Sequence, residues 1–161
     1  MMLRMSLALA ASLIALAHGA HAAPFLARHG HWTVMAASAT ACAAMNRPPE
    51  EFNAAPFASL ALRQLRDGPA RLQVFAWPGV FKPNDAVTIT VTADGARTDM
   101  PGRTFDTYIA ETPLTAPLRE ALKARVAEFE ITGLPSMLLF DVSHLGEVVA
   151  SLEACVRGLA R

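Results

Sequence analysis

The chain contains two cysteines, Cys42 and Cys155, and no other feature limits its possible folds as strongly. One pair allows only one intramolecular connectivity. A bridge would join positions 113 residues apart and would hold the end of the domain against its beginning. The alternative is two separate buried thiols. The choice depends on the compartment in which the chain folds, because disulfides persist in oxidising compartments.

The first 22 residues have the features of a secretory signal peptide. Arg4 gives a positive start, and Met5 to Ala17 form an uncharged run rich in Leu and Ala. This run is shorter than the roughly 20 apolar residues of a spanning helix. Ala20-His21-Ala22 has the small-x-small pattern of a cleavage site, so we predict cleavage after Ala22. The other interpretation, an uncleaved anchor, is disfavoured because no stop-transfer pattern follows.

Residues 23–161 are predicted to form a single globular domain, periplasmic or secreted. Cleavage removes Arg4 from the 14 basic residues and leaves the 14 acidic ones, so the mature net charge is close to zero. This balance disfavours a nucleic-acid partner, which requires a basic patch. No later run is apolar enough to cross a bilayer, so the mature protein is not expected to span a membrane. In an oxidising compartment we expect a Cys42–Cys155 disulfide, which the chain-entropy description values at roughly 4 to 5 kcal/mol.

Alternating apolar and polar residues predict several strands. "AVTITVT", Ala86 to Thr92, alternates most regularly, and Asp94-Gly95 after it is a hairpin-turn signal. Further strands are predicted at His31 to Ala36, Ser59 to Leu65 and Arg71 to Trp77. Between the first two of these, Ala37 to Pro56 is expected to be irregular apart from the surroundings of Cys42.

Two helices are predicted late in the chain. Thr115 can cap a helix with Pro117 in its first turn, and Leu118, Leu122, Val126 and Phe129 follow at helical spacing. After a buried strand at Met137 to Val142, a second helix is expected from about Leu145, with Ser143 as its cap and Cys155 beside its apolar stripe. The fold class is therefore α+β: a mostly antiparallel sheet, or a small β-sandwich, closed by two C-terminal helices.

The sequence gives little support to a metal site. His29 and His31 would share one face of a strand, and Met35 and Cys42 could extend a soft ligand set suited to copper. No Cys-x-x-Cys or longer His-rich tract supports them. We therefore predict no metal and no cofactor.

Catalytic motifs are equally weak. Asp141, Ser143 and His144 in "FDVSHL" are sequence neighbours, and a catalytic triad is a spatial constellation rather than a run. No Gly-x-Ser-x-Gly elbow and no phosphate-binding glycine loop are present. We predict that the protein is not an enzyme and assign no catalytic residue.

Aromatic residues fall on or near the predicted strands, where packing into the core is their usual role. An exposed corner at Trp77 and Pro78 is a candidate binding surface. The sequence alone does not separate these two roles.

The order of features resembles the invasion-associated locus B family of alphaproteobacterial exported proteins. The resemblance rests on "HWTVMAASATAC", "LQVFAWPGVFKPNDAVTITVTADG", "LTAPLREALKARVAEF" and "MLLFDVSHLGEVVASLEAC". It implies a periplasmic, non-enzymatic protein with an envelope-associated or host-interaction role, whose partner would be a protein or an envelope component.

A second function remains open from the sequence. A small periplasmic inhibitor of a lysozyme or a protease, stapled by one disulfide, would expose a rigid loop that enters the cleft of its target. The loop from Asn46 to Pro56 is the candidate for that role.

Overall fold

The structure, a computed structural model, describes residues 25–46 and 58–159. The predicted signal peptide, its cleavage site and residues 47–56 of the candidate inhibitor loop lie outside this part of the chain. The described part contains ten strands and two helices. The strands are β1 Phe25–His29, β2 Trp32–Ser38, β3 Ala41–Asn46, β4 Ser59–Leu65, β5 Arg71–Phe75, β6 Ala86–Ala93, β7 Ala96–Asp106, β8 Ile109–Pro113, β9 Val126–Ile131 and β10 Leu138–Asp141; the helices are α1 Ala116–Ala121 and α2 Leu145–Gly158.

The ten strands form one antiparallel sheet in the order β1-β2-β3-β4-β5-β8-β7-β6-β9-β10. The predicted α+β class with a mostly antiparallel sheet is confirmed, and of the two arrangements considered the structure has the single sheet. The first five strands follow one another, and β6 to β8 then run back so that β8 pairs with β5. Of the two helices α2 is C-terminal, whereas α1 lies between β8 and β9.

The hairpin of β6 and β7 turns at Asp94 and Gly95, as predicted. Both residues have positive φ, 50° and 78°, which a two-residue turn between twisted strands requires. On β6, Ile89 and Val91 are buried in the core, and the alternating Thr88, Thr90 and Thr92 face the other side of the sheet. Because β6 pairs with both β7 and β9, it is the central strand of the candidate site described below.

The helix predicted to continue from Thr115 through Phe129 is wrong in its second half. The Thr115 side chain does accept from the Leu118 amide, and Pro117 lies in the first turn, but α1 ends at Ala121. The chain then forms β9, in which Ala127, Phe129 and Ile131 are buried. This segment fits both periods, and pairing with the available edge of β6 selects the strand.

The segment from Ala37 to Pro56, expected to be irregular, contains an additional strand. Ala41–Asn46 forms β3 and pairs with β2 on one side and with β4 on the other. Alanine has low strand propensity, so the local sequence gives a weak signal, and pairing on both sides overrides it. Cys42 therefore lies on a central strand and not in a loop.

Helix α2 covers one part of the sheet. It packs against β1 to β4, and its buried side chains are Leu145, Val148, Leu152, Cys155 and Val156. The predicted start at Leu145 is confirmed, whereas the predicted Ser143 cap is wrong. The cap residue is His144, in the left-handed region with φ 68°, and its side chain makes no cap hydrogen bond.

The disulfide between Cys42 and Cys155 is present, with the two Cα atoms 6.2 Å apart. It joins β3 to the last turns of α2. Cys42 is fully buried and Cys155 nearly so, hence the bridge lies within the hydrophobic core. The disulfide thereby holds α2 against the early strand β3, and the predicted bridge between the two cysteines is confirmed.

The sheet curves far enough to bring β3 close to β10. Although β3 and β10 are widely separated in the strand order, the Asn46 side-chain amide donates to the Asp141 carbonyl oxygen at 2.5 Å. The curved sheet and the helices enclose a single cluster of buried apolar side chains. None of the helices in the described part of the chain is long and apolar enough to cross a membrane.

Candidate functional site

A groove of about 570 Å³ lies on the outer face of β6, β7 and β9. The segment from Thr132 to Met137, which joins β9 to β10, forms one of its walls. We call it the threonine groove, because Thr88, Thr90 and Thr132 line it together with Arg97, Asp99, Glu130 and the apolar residues of this wall. Its volume lies within the range of small-molecule sites.

Strand register places two carboxylates on either side of Thr90. Thr90 is paired with Asp99 on β7 and with Glu130 on β9, so the three residues form one row across the sheet. The Thr90 hydroxyl donates to Asp99 Oδ1 at 2.6 Å, although only 4% of Thr90 is exposed. Because this threonine is buried and hydrogen-bonded, it fixes the position of the carboxylate.

Arg97 lies between the two acids. Its Nε contacts Asp99 Oδ1 at 3.3 Å, and its Nη1 is 3.8 Å from Glu130 Oε2. All three side chains are more than half exposed. The hydrogen bond from Thr90 is the main cause that lowers the pKa of Asp99. Desolvation opposes it, and the nearby Arg97 lowers the pKa further. Asp99 is therefore ionised at neutral pH.

The opposite wall of the groove is apolar, and hydrogen bonds to β6 hold the residue at its start, Thr132. Thr132 closes the β6–β9 ladder, because its amide donates to the Thr88 carbonyl at 3.1 Å and its hydroxyl accepts from the Thr88 amide at 3.2 Å. Leu134 then packs against the core, while Pro135 is exposed and Met137 is 51% exposed. The threonine groove thus has a charged side and an apolar side.

Asp141, Ser143 and His144, which the sequence analysis considered and did not assign as catalytic, do not form a catalytic arrangement. Ser143 donates its hydroxyl directly to Asp141 Oδ1 at 2.5 Å, and its amide donates to the same oxygen at 3.0 Å. A nucleophilic serine would instead donate to a histidine. His144 contacts Glu147, with Nδ1 3.6 Å from Oε1. The pair of Asp141 and Ser143 is a local turn that precedes α2.

The three histidines after residue 22 meet at the turn between β1 and β2. His29 Nε2 is 2.8 Å from Ser151 Oγ on α2, and His31 Nε2 is 3.8 Å from Asp141 Oδ2. The His144 ring lies on Gly30, where a Cβ atom would come within 2.9 Å of it. These contacts attach the turn to α2 and β10. His29 ends β1 and His31 lies in the turn, so the shared strand face expected of them does not form.

Metal ligands are not gathered at this turn. In residues 25–46 and 58–159 there is no group of three or more His, Cys, Asp or Glu side chains placed to hold a metal ion. Met35 lies on β2 and Cys42 is bound in the disulfide, so the set considered for copper is not brought together.

The predicted Trp77–Pro78 surface lies after β5. Trp77 is half-buried and packs against the core, whereas Pro78 is exposed. Phe105 on β7 is 58% exposed. The ring of Phe75 lies 6.3 Å from that of Tyr108, measured between centroids, on the same part of the molecule.

The sequence does not reveal the threonine groove. The alternating threonines of β6 indicate one polar face, but Asp99 and Glu130 reach Thr90 only through the pairing of β6 with β7 and β9. Because β9 lies in a segment expected to be helical, the sequence gives no signal for its pairing with β6.

Comparison with protein-family models, with curated proteins and with solved structures gave no match.

Proposed function

We propose that this is an exported, non-enzymatic periplasmic protein that binds a protein or an envelope component through the threonine groove. The observation that carries the proposal is the groove itself. Hydroxyls, two carboxylates and one guanidinium line one side and apolar side chains line the other. Binding sites commonly combine an apolar wall with a few convergent polar groups.

The chemistry of the groove favours binding over catalysis. A general acid near neutral pH needs a raised pKa, and the pKa of Asp99 is lowered by Thr90 and Arg97. The serine considered as a nucleophile, Ser143, lies outside the groove and donates to Asp141. Both observations support a binding role.

Export and an envelope role are supported by other features. The buried bridge between Cys42 and Cys155 suits an oxidising compartment. The N-terminal 22 residues and the resemblance to the invasion-associated locus B family favour the periplasm.

Affinity capture from periplasmic and envelope extracts would test the proposal. The exported protein and its Met137→Asp variant would be immobilised in parallel. Aspartate at this position adds charge to the apolar wall, so we expect the variant to lose a partner that the unchanged protein retains. Leu65→Asp is the matched control, because Leu65 is 45% exposed and lies outside the groove.

Retention of the same partners by the Met137→Asp variant would contradict the assignment of this groove. Thermal unfolding of both variants would show that any loss reflects the surface and not a failure to fold.

A further inference from the structure

We infer that the threonine groove receives an arginine or lysine side chain from an extended basic peptide segment, and that Arg97 occupies the position of the incoming cation until it is displaced. The inference rests on the proposed function and specifies the chemistry of the partner. Three features of the groove carry it: its charge balance, the weak attachment of Arg97 and its apolar wall.

The groove lining has one more negative charge than positive charge. Asp99 and Glu130 come from different strands, and Arg97 is the only cation among the residues that line it. Thr90 and Arg97 both donate to Oδ1 of Asp99. A cation that takes the place of Arg97 can therefore contact Oδ2 and Glu130 without displacing the buried Thr90 hydroxyl.

Arg97 is weakly held in its place. Its contacts of 3.3 Å and 3.8 Å are long for charge-assisted hydrogen bonds, and its side chain is mostly exposed. Exposed ion pairs of this kind contribute little to stability. Arg97 can thus move into solvent when another guanidinium or ammonium group takes its place.

The apolar wall distinguishes a side chain from a small inorganic cation. Arginine and lysine lay their methylene groups along apolar surface while their charged heads stay among polar groups. Leu134, Pro135 and Met137 offer that surface opposite the carboxylates. The volume of about 570 Å³ exceeds that of one side chain, which leaves room for the flanking residues of a peptide.

Amide NMR titration of the exported protein would test this inference. The probes are the acetylated and amidated tripeptides Ala-Arg-Ala and Ala-citrulline-Ala, of which the second is nearly isosteric and uncharged, and spermidine. We expect the arginine peptide to shift the amides of Thr90, Asp99 and Met137. We expect citrulline to weaken binding about tenfold, because the bonds to the carboxylates lose their charge.

Three groove variants and one control extend the test. Asp99→Asn and Glu130→Gln should each weaken binding of the arginine peptide about fivefold. Arg97→Gln should strengthen it about threefold, because the internal competitor is removed. Arg103→Gln is the control: it removes an exposed arginine of the same strand outside the groove and should leave the affinity unchanged.

Each other outcome overturns the inference in a recognisable way. Equal binding of the citrulline peptide would exclude charge recognition, and weaker binding by Arg97→Gln would make Arg97 a ligand contact. Stronger binding of spermidine than of the arginine peptide would assign the groove to a free polyamine. If no probe binds but Met137→Asp still loses a captured partner, the partner's chemistry is wrong and the proposed function stands; if neither occurs, both fail.

Discussion

Gly102 lies within β7, where the backbone of β8 comes very close. A Cβ atom at this position would be 2.9 Å from the Glu111 carbonyl oxygen and 3.0 Å from the end of Ile89. The first neighbour is backbone and cannot move without disturbing the β7–β8 pairing. Glycine is thus required here by space.

Gly102→Ala should destabilise the protein by about 1 to 3 kcal/mol, the usual range for overpacking. Gly146→Ala is the matched control. Gly146 lies in the first turn of α2 with no atom near its added methyl, so this change should be neutral or stabilising by up to about 1 kcal/mol. Urea unfolding of both variants measures the difference. Equal free energies of unfolding for the two variants would show that β8 can shift to make room for the added methyl group.

A second residue-scale prediction concerns the hydrogen bond from Thr90 to Asp99. In Thr90→Val the pKa of Asp99 should rise towards its ordinary value, because the main cause of its lowering is removed. Thr90→Ser keeps the hydroxyl and should keep the lowered pKa. NMR titration of the Asp99 carboxyl group measures this pKa directly. A lowered pKa retained in the valine variant would contradict the assigned cause.

The sign of the related stability effect follows from linkage. A carboxylate whose pKa is lowered on folding stabilises the fold above its unfolded pKa, and this contribution disappears as the pH falls through the folded pKa. For Asp99 the loss therefore begins below about pH 4, the ordinary range of an aspartate. Since the side chain is largely exposed, the effect on stability is small, and the titration itself is the better measurement.

At the scale of elements, the disulfide attaches α2 to the sheet. Replacing both Cys42 and Cys155 by Ala should lower the stability by about 2 to 4 kcal/mol and the Tm by several degrees. The buried face of α2 still packs against β1 to β4, so the fold should persist. Thermal unfolding measures the loss, and native hydrogen exchange should show α2 opening earlier than β6.

The single variants Cys42→Ala and Cys155→Ala serve as controls, because each breaks the bridge but retains one buried thiol. A double variant with an unchanged Tm would mean that the bridge adds nothing to the packing of α2.

Elements whose apolar residues follow one clear periodicity, either of a strand or of a helix, could be predicted from the sequence. The alternation of β6 and the apolar stripe of α2 each match one structure only, and both are found where expected. The segment 122–131 fits two periods, and β3 is alanine-rich, so both depend on partners distant in the chain. The threonine groove is assembled from such non-local pairings, so its residues come together only in the folded structure and the sequence alone does not predict it.

At the scale of the whole molecule, one sheet closes on itself through side chains. The bond from Asn46 to the Asp141 carbonyl joins β3 to β10, and the disulfide joins β3 to α2. Both connections converge on a strand near the start of the described chain. The late elements β10 and α2 are thus both attached to the early strand β3.

The predicted processing of the chain is a property of the whole molecule as well. We expect the exported product to begin at Ala23, because cleavage follows the Ala20-His21-Ala22 pattern. Intact-mass measurement of protein recovered from the periplasm would identify the first residue. A mass that still includes Arg4 would rule this cleavage out, and a reduced sample would add two hydrogens for the opened bridge.

The distance between the two cysteines along the chain also has a consequence for synthesis. Cys155 follows Cys42 by 113 positions. Because a polypeptide is made with its N-terminus first, Cys42 stays a thiol until Cys155 has been made. A product that stops between these two positions keeps Cys42 as a free thiol. The oxidised bond therefore distinguishes chains that contain both β3 and α2 from shorter products.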